Sequence, residues 1–341
     1  MFAFISELCT NRRVTGAGAS RTAGGGRVGG GTDSGGDVDG ADGHQEAVAV
    51  AAQVSLAVAA KASAENFPVA LRVLPRRWRA NLTALYGFAR LVDDIGDEPL
   101  PGLPGDATEE TVTATRLQLL DELDEEVRRI YRPGAPEPDL AALRELKRAV
   151  RETGIPAQPL HDLIQANRQD QLVTRYDTYA ELADYCRLSA NPVGQVVLYI
   201  MGAATEERIA ASDSICTALQ VIEHCQDVAE DLGNGRIYLP RQDMDAHGVT
   251  EADLARPTAS ASVRNLIKFE AGRAGRLIDG AAPLVGTLRG AARLAIAGYL
   301  AGGRATLKAM EAGGYDVLRA VPRPGKADTL VAMTSCFIKG R

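Results

Sequence analysis

The 341-residue sequence predicts an all-α protein, a single large helical bundle around a central cavity. Three observations carry this. From about residue 46 onward, apolar residues recur at three- and four-residue spacing, the period of one helix face. Short Pro/Gly breaks separate those segments. The strict apolar/polar alternation of half-buried strands is nearly absent, and no repeat of solenoid period is found.

Residues 14–44 are dominated by Gly, Ser, Thr and Asp and offer too little apolar surface to offset ordering. Residues 1–45 are therefore expected to be disordered, and 46–341 to form the helical domain. Helices are expected at 47–64 and 76–97, the second closed by PLPGLPG (99–105). RPGAPEP (132–138) separates 109–131 from 138–153, and ETGIPAQP separates the latter from 157–171. Helices 177–188 and 192–203 meet at ANPVG, where Pro192 forces Asn191 away from helical geometry. A long helix at 206–231 runs into a GNG stop, and 251–254, 260–282, 286–312 and 326–338 complete the set.

Composition narrows the function. A net charge of −6 supplies no basic face for nucleic acid. The five cysteines are scattered without CxxC or zinc spacing and read as reduced thiols, which predicts a cytoplasmic protein, peripheral at most to the inner face of the membrane. No run approaches the ~18 to 20 apolar residues of a transmembrane helix. With four dispersed histidines, any metal would have to be held by oxygen.

Two helix ends are anomalous. LVDDIGDE (91–98) and QDVAEDLGNG (226–235) put carboxylates where the helix dipole is already negative, a cost of a few tenths to about 1 kcal/mol per acid. Tyr86, Arg90, Asp93 and Asp97 step by four, three and four and share one face, opposite an apolar face with Leu82, Leu85, Ala89 and Val92. Asp94 and Glu98 read as solvated. Gln220, Glu223, Asp227 and Asp231 form a second stripe, with Ile215, Ala218, Leu219 and Ile222 on its packing side. A lone DxxxD is ordinarily a solvated helix face. Two facing ones suit Mg²⁺ bound with a diphosphate, because that ion keeps oxygen ligands and is completed by phosphate.

The chain resembles the squalene/phytoene synthases, the head-to-head isoprenyl diphosphate synthases. The segments that carry this are ENFPVALRVLPRRWRANLTALYGFARLVDDIGDE, DLIQANRQDQLVTRYDTYAELADYCRLSANPVG, ICTALQVIEHCQDVAEDLGNGRIYLP and GYDVL. NFPVA, YCRLSANPVG and QDVAED look most like the hydroxysqualene synthase branch of hopanoid biosynthesis. The resemblance implies an isoprenoid synthase bundle that converts presqualene diphosphate and water to hydroxysqualene and diphosphate. Prenyl transfer, as in presqualene diphosphate or phytoene synthases, is the alternative within the family; a non-catalytic helical scaffold is the alternative outside it.

Carried over by resemblance, Asp93, Asp97, Asp227 and Asp231 are Mg²⁺-diphosphate ligands. Arg90 is placed for diphosphate, and Tyr86, Tyr185 and Tyr238 lie near the reacting carbons. Asn66 and Phe67 match the segment closing over substrate, Gln220 and Gln226 polar positions on the second motif helix, and Ala190 and Asn191 the helix break beside a hydrocarbon tunnel walled by 192–203. Glu223 stands where the family usually has Asn, as a further metal ligand, and is followed by His224 and Cys225 where aromatic residues are common.

Overall fold

The computed structural model describes residues 74–339 apart from 101, 102, 104 and 105. The segment 1–45, the helix expected at 47–64, and Asn66 and Phe67 lie outside the described residues. Local chemistry sets most helix limits. Helix α1 (Arg76–Asp97) begins after Pro75. Helix α2 (Glu109–Ile130) starts at Thr108, whose hydroxyl accepts from the Thr111 amide, with Glu109 and Glu110 in its first turn and Arg128 and Arg129 in its last. That charge order favours its dipole. Helix α3 (Ala141–Thr153) stops at Gly154, which is left-handed at φ +70°. Helix α4 (Gln158–Asp170) carries Pro159 in its first turn, where a missing amide costs nothing.

Helices α5 (Tyr179–Ser189) and α7 (Glu206–Gln226) are capped by Thr178 and Thr205. Helix α6 (Asn191–Ile200) lies between them with Pro192 in its first turn, and ends three residues before the limit its sequence predicts. After α7 come α8 (Val228–Gly233), α9 (Arg241–Ala246) and α10 (Glu251–Leu254). Helices α11 (Ala261–Ala281), α12 (Leu284–Thr287), α13 (Gly290–Ala312) and α14 (Lys326–Lys339) follow. Among the described residues the only β pairing is an isolated parallel bridge between Arg175 and Ile237.

Two helices organise the packing. Helix α7 lies against α11, α6, α5 and α13, and α1 lies against α3, α4, α2 and α6. The aliphatic residues of α6, Val193, Val196, Val197 and Leu198, are buried in the core that joins them. Two expected elements are corrected: 286–312 is interrupted at Leu288, whose backbone is extended (φ −101°, ψ 161°), and so is divided between α12 and α13, and 206–231 is not one helix. It breaks at Asp227 (φ −99°, ψ 15°), near the sparsely populated bridge region, and resumes as α8. The break places Asp227 and Asp231 on two short-coupled elements at the inner end of α7.

Candidate active site

Asp93 and Asp97 from α1 and Asp227 and Asp231 from the α7–α8 junction line one cleft. The two acid rows therefore share a chamber. Three residues that sequence reasoning did not single out complete it: Asp170 at the end of α4, Arg236 on the loop after α8, and His224 on α7. Ala89, Val92, Leu163 and Ala166 supply its apolar wall.

The counter-charges for the acidic end of α1 are arginines. Arg90 pairs with Asp94 at 2.8 Å, both buried, and reaches Glu98 at 3.5 Å. Arg236 pairs with Asp97 at 3.3 Å and donates to the Asp170 carbonyl at 3.2 Å. Burial works against its charge, yet the surrounding Tyr238, Asp170 and Asp97 hold the Arg236 guanidinium above its ordinary range. The Asp93 carboxyl is held well above the carboxylate range, first by burial and then by the charge of Asp97; the Asn167 amide, donating to it at 3.4 Å, opposes this.

Asp170 ties the cleft's aromatic wall together. The Tyr185 hydroxyl donates to Oδ2 at 2.8 Å and the Tyr238 hydroxyl to Oδ1 at 3.2 Å. Burial pushes the Asp170 carboxyl up to about 6 against the pull of Arg236. Burial and the neighbouring Asp170 raise the Tyr185 hydroxyl well above its usual value. Tyr238 stacks on the His224 ring with centroids 3.9 Å apart and planes 13° apart, and lies 5.5 Å from Tyr185. Gln220 Nε2 is 3.2 Å from His224 Nε2, so the ring nitrogen accepts and Nδ1 carries the proton toward Asp231, 3.9 Å away.

Of the residues expected at the site, Asp93, Asp97, Asp227, Asp231, Tyr185, Tyr238 and Gln220 line the cleft. Tyr86, Arg90, Glu223, Gln226, Ala190 and Asn191 do not. The cleft face of α1 runs through Ala89, Val92, Asp93 and Asp97, turned away from Arg90, whose partner Asp94 is buried rather than solvated. On α7 the lining positions are 220, 224, 227 and 231, steps of four, three and four that put His224 on the stripe and leave Glu223 buried beside it. Gln226 turns outward and donates to the Pro322 carbonyl. Asn191 is buried and accepts from the Thr217 hydroxyl at 3.0 Å, joining α6 to α7, so neither it nor the α6 aliphatics form a wall of the cleft.

Arg236 and Asp170 were legible only as parts of GRIYLP and QANRQDQ; no periodicity marks them. Among the described residues no group of three or more His, Cys, Asp or Glu side chains is gathered closely enough to hold a metal ion unaided. The donor set nevertheless fits a hard cation shared with a phosphate: five carboxylates face one cleft, no thiol lines it, and the buried Gln220 Oε1 has no hydrogen-bond partner.

An all-α bundle with paired acidic rows in a central cleft defines an isoprenoid synthase class, and the comparisons agree. The profile of the squalene/phytoene synthase family matches residues 60–327, and the chain belongs to that family. It is 35% identical over 226 residues to the hydroxysqualene synthase of Rhodopseudomonas palustris, covering 66% of this chain and 72% of that protein. A phytoene synthase of Mycobacterium tuberculosis is 32% identical over 189 residues, covering 55% and 57% of the two chains. The crystal structure of squalene synthase HpnC from Alicyclobacillus acidocaldarius superposes with a TM-score of 0.66 at 37% identity, covering 80% of this chain and 96% of that one.

Proposed function

We propose that the cleft converts presqualene diphosphate and water to hydroxysqualene and diphosphate. The observation that carries this is that both aspartate rows, Arg236 and the Tyr185–Tyr238 pair line one cleft. Relatives named hydroxysqualene synthase support the choice of reaction. Asp93, Asp97, Asp227 and Asp231 would hold Mg²⁺, which when bound supplies Lewis-acid neutralisation of the diphosphate.

In this reading the carbon–oxygen bond to diphosphate breaks and its electron pair stays on the phosphate oxygen. Arg236, preorganised by Asp97 and the Asp170 carbonyl, faces the charge that develops there. The carbocation left behind lies beside Tyr185, whose ring attracts positive charge without attacking it, while Tyr238 is already stacked on His224 and serves to hold that aromatic cluster in place. Asp170 fixes both rings by taking their hydroxyl hydrogens. Water adds its oxygen to the rearranged cation, and the proton it loses passes to the released diphosphate.

Incubation of the purified chain with presqualene diphosphate and Mg²⁺, followed by mass spectrometry, should yield hydroxysqualene. Recovery of unreacted substrate alone overturns the proposal. The similarity to phytoene synthases favours prenyl transfer as a second reading. Presqualene diphosphate formed from farnesyl diphosphate, or phytoene from geranylgeranyl diphosphate, would establish it instead.

A further inference from the structure

The acidic end of α1 is not closed by its own chain. Its hydrogen-bond ladder stops where the Glu98 amide meets the Asp94 carbonyl at 3.2 Å, because Pro99 has no amide hydrogen to continue it. The last turn, DIGD, carries no basic residue to oppose the dipole. The carbonyls left over are met by side chains from two other helices. Gln171, the residue that follows α4, donates to the Gly96 carbonyl and to the Asn167 carbonyl, each at 3.2 Å. Arg116 of α2 donates to the Glu98 carbonyl at 3.2 Å and to Gln171 Oε1 at 3.4 Å, so its guanidinium joins the two clamping groups.

The same turn is approached from the cleft side. The Asn167 amide donates to Asp93 Oδ1 at 3.4 Å. Asn167 comes this near only because residue 96 is glycine: a Cβ there would overlap Asn167 Oδ1 and stand 3.5 Å from Gln171 Nε2. Glycine is a poor helix former, so its place in the final turn of α1 has a packing cause. Arg116 also brings positive charge to this end, where burial lowers its guanidinium pKa and the charge of Asp97 raises it. Neither Gln171 nor Arg116 lines the cleft. Their hydrogen bonds go to backbone carbonyls and to each other, so what they do for the cleft passes through the two aspartates that the turn carries.

We propose that Gln171 and Arg116 are positioning residues: together they fix the height and rotation of the last turn of α1 and so hold Asp93 and Asp97 ready for a Mg²⁺ shared with diphosphate. This role presupposes the reading of those aspartates as Mg²⁺ ligands and concerns the affinity for the ion, whatever becomes of the hydrocarbon. A turn free to fray must be ordered when the ion binds, whereas a clamped one is ordered beforehand. Partners that orient metal ligands in this way govern affinity by about 10- to 100-fold.

Isothermal titration calorimetry of the full chain with inorganic diphosphate and Mg²⁺ reads the effect without turnover. Gln171→Met and Arg116→Met remove the donors while keeping an extended side chain, and each should weaken uptake of diphosphate with Mg²⁺ by about tenfold. The double variant should fall short of the product of the two losses, since both groups hold one turn. Arg144→Met is the control. Arg144 donates to the Pro138 and Asp139 carbonyls just before α3, a clamp of the same kind away from the cleft, and its loss should leave affinity within about twofold of the parent. Helical content should be the same in every variant. Unchanged affinity in either Gln171→Met or Arg116→Met overturns this role and leaves the acid rows as metal ligands. An equal fall in the control overturns it too, by making the loss one of general packing. Failure of the parent to take up diphosphate with Mg²⁺ removes the ligand reading itself, and this role with it.

Discussion

Asp170→Asn isolates the group that sequence reasoning missed. The carboxyl accepts from two tyrosine hydroxyls, whereas the amide offers one acceptor oxygen, so one phenol loses its partner. That loss costs about 1–3 kcal/mol. Against it stands the burial of the carboxylate, which lifts its pKa from 3.8 to about 6. A rise of roughly two units disfavours ionisation by about 3 kcal/mol.

The direction follows from proton binding. Between the unfolded value and about 6, the folded state keeps a proton that the unfolded state has released, so the parent loses stability as pH rises through that window. The amide has nothing to ionise. At acid pH the protonated carboxyl, like the amide, presents one acceptor oxygen and a donor, so the variant should match the parent to within about 1 kcal/mol. The difference should swing by about 3 kcal/mol in the variant's favour above neutrality. Urea unfolding in metal-free buffer across that range measures the swing. A stability difference that is the same at both ends of the range would refute the electrostatic reading of the cleft.

Further outcomes follow from other residues. Asp93→Ala and Asp227→Ala should each cut turnover by about a thousandfold with helical content retained, and a loss under about tenfold would remove the acid rows from the chemistry. Glu270, buried against Arg273, is raised to about 7 by burial, so its folded form also holds a proton that the unfolded form releases. Glu270→Gln should flatten the fall in stability between the unfolded carboxyl value of 4.5 and about 7, seen as a smaller change in Tm across that window. Gly194→Ala would set a Cβ 2.5 Å from both Cys216 Sγ and Ser212 Oγ, short side chains that cannot swing clear. Overpacking of about 1–3 kcal/mol should outweigh the helix-propensity gain of about 1 kcal/mol and lower Tm by a few degrees.

Much of this protein was readable before folding. The helices came from a local period and their ends from PLPGLPG, Gly154 and Pro192, all of which act within a turn or two. Asp93, Asp97, Asp227 and Asp231 were readable because anions at a helix C-terminus need an explanation. The second row was read one position off, since 220, 223, 227 and 231 also fit a helical period, whereas the structure puts His224 rather than Glu223 on the cleft face in steps that repeat those of the first row. Tyr185 was legible as part of a motif, though not as the partner of Asp170.

The composition and order of side chains thus determined the helical class, its breaks and the four aspartates, because each depends on neighbours a few residues away. Tertiary structure alone decided how each helix is turned about its axis, burying Arg90 with Asp94 while presenting Asp93, and it alone joined Arg236 to Asp97 across 139 residues and Asp93 to Asn167 across 74. Those pairings arise from packing between elements, and a helical period holds no information about which neighbour a face will meet.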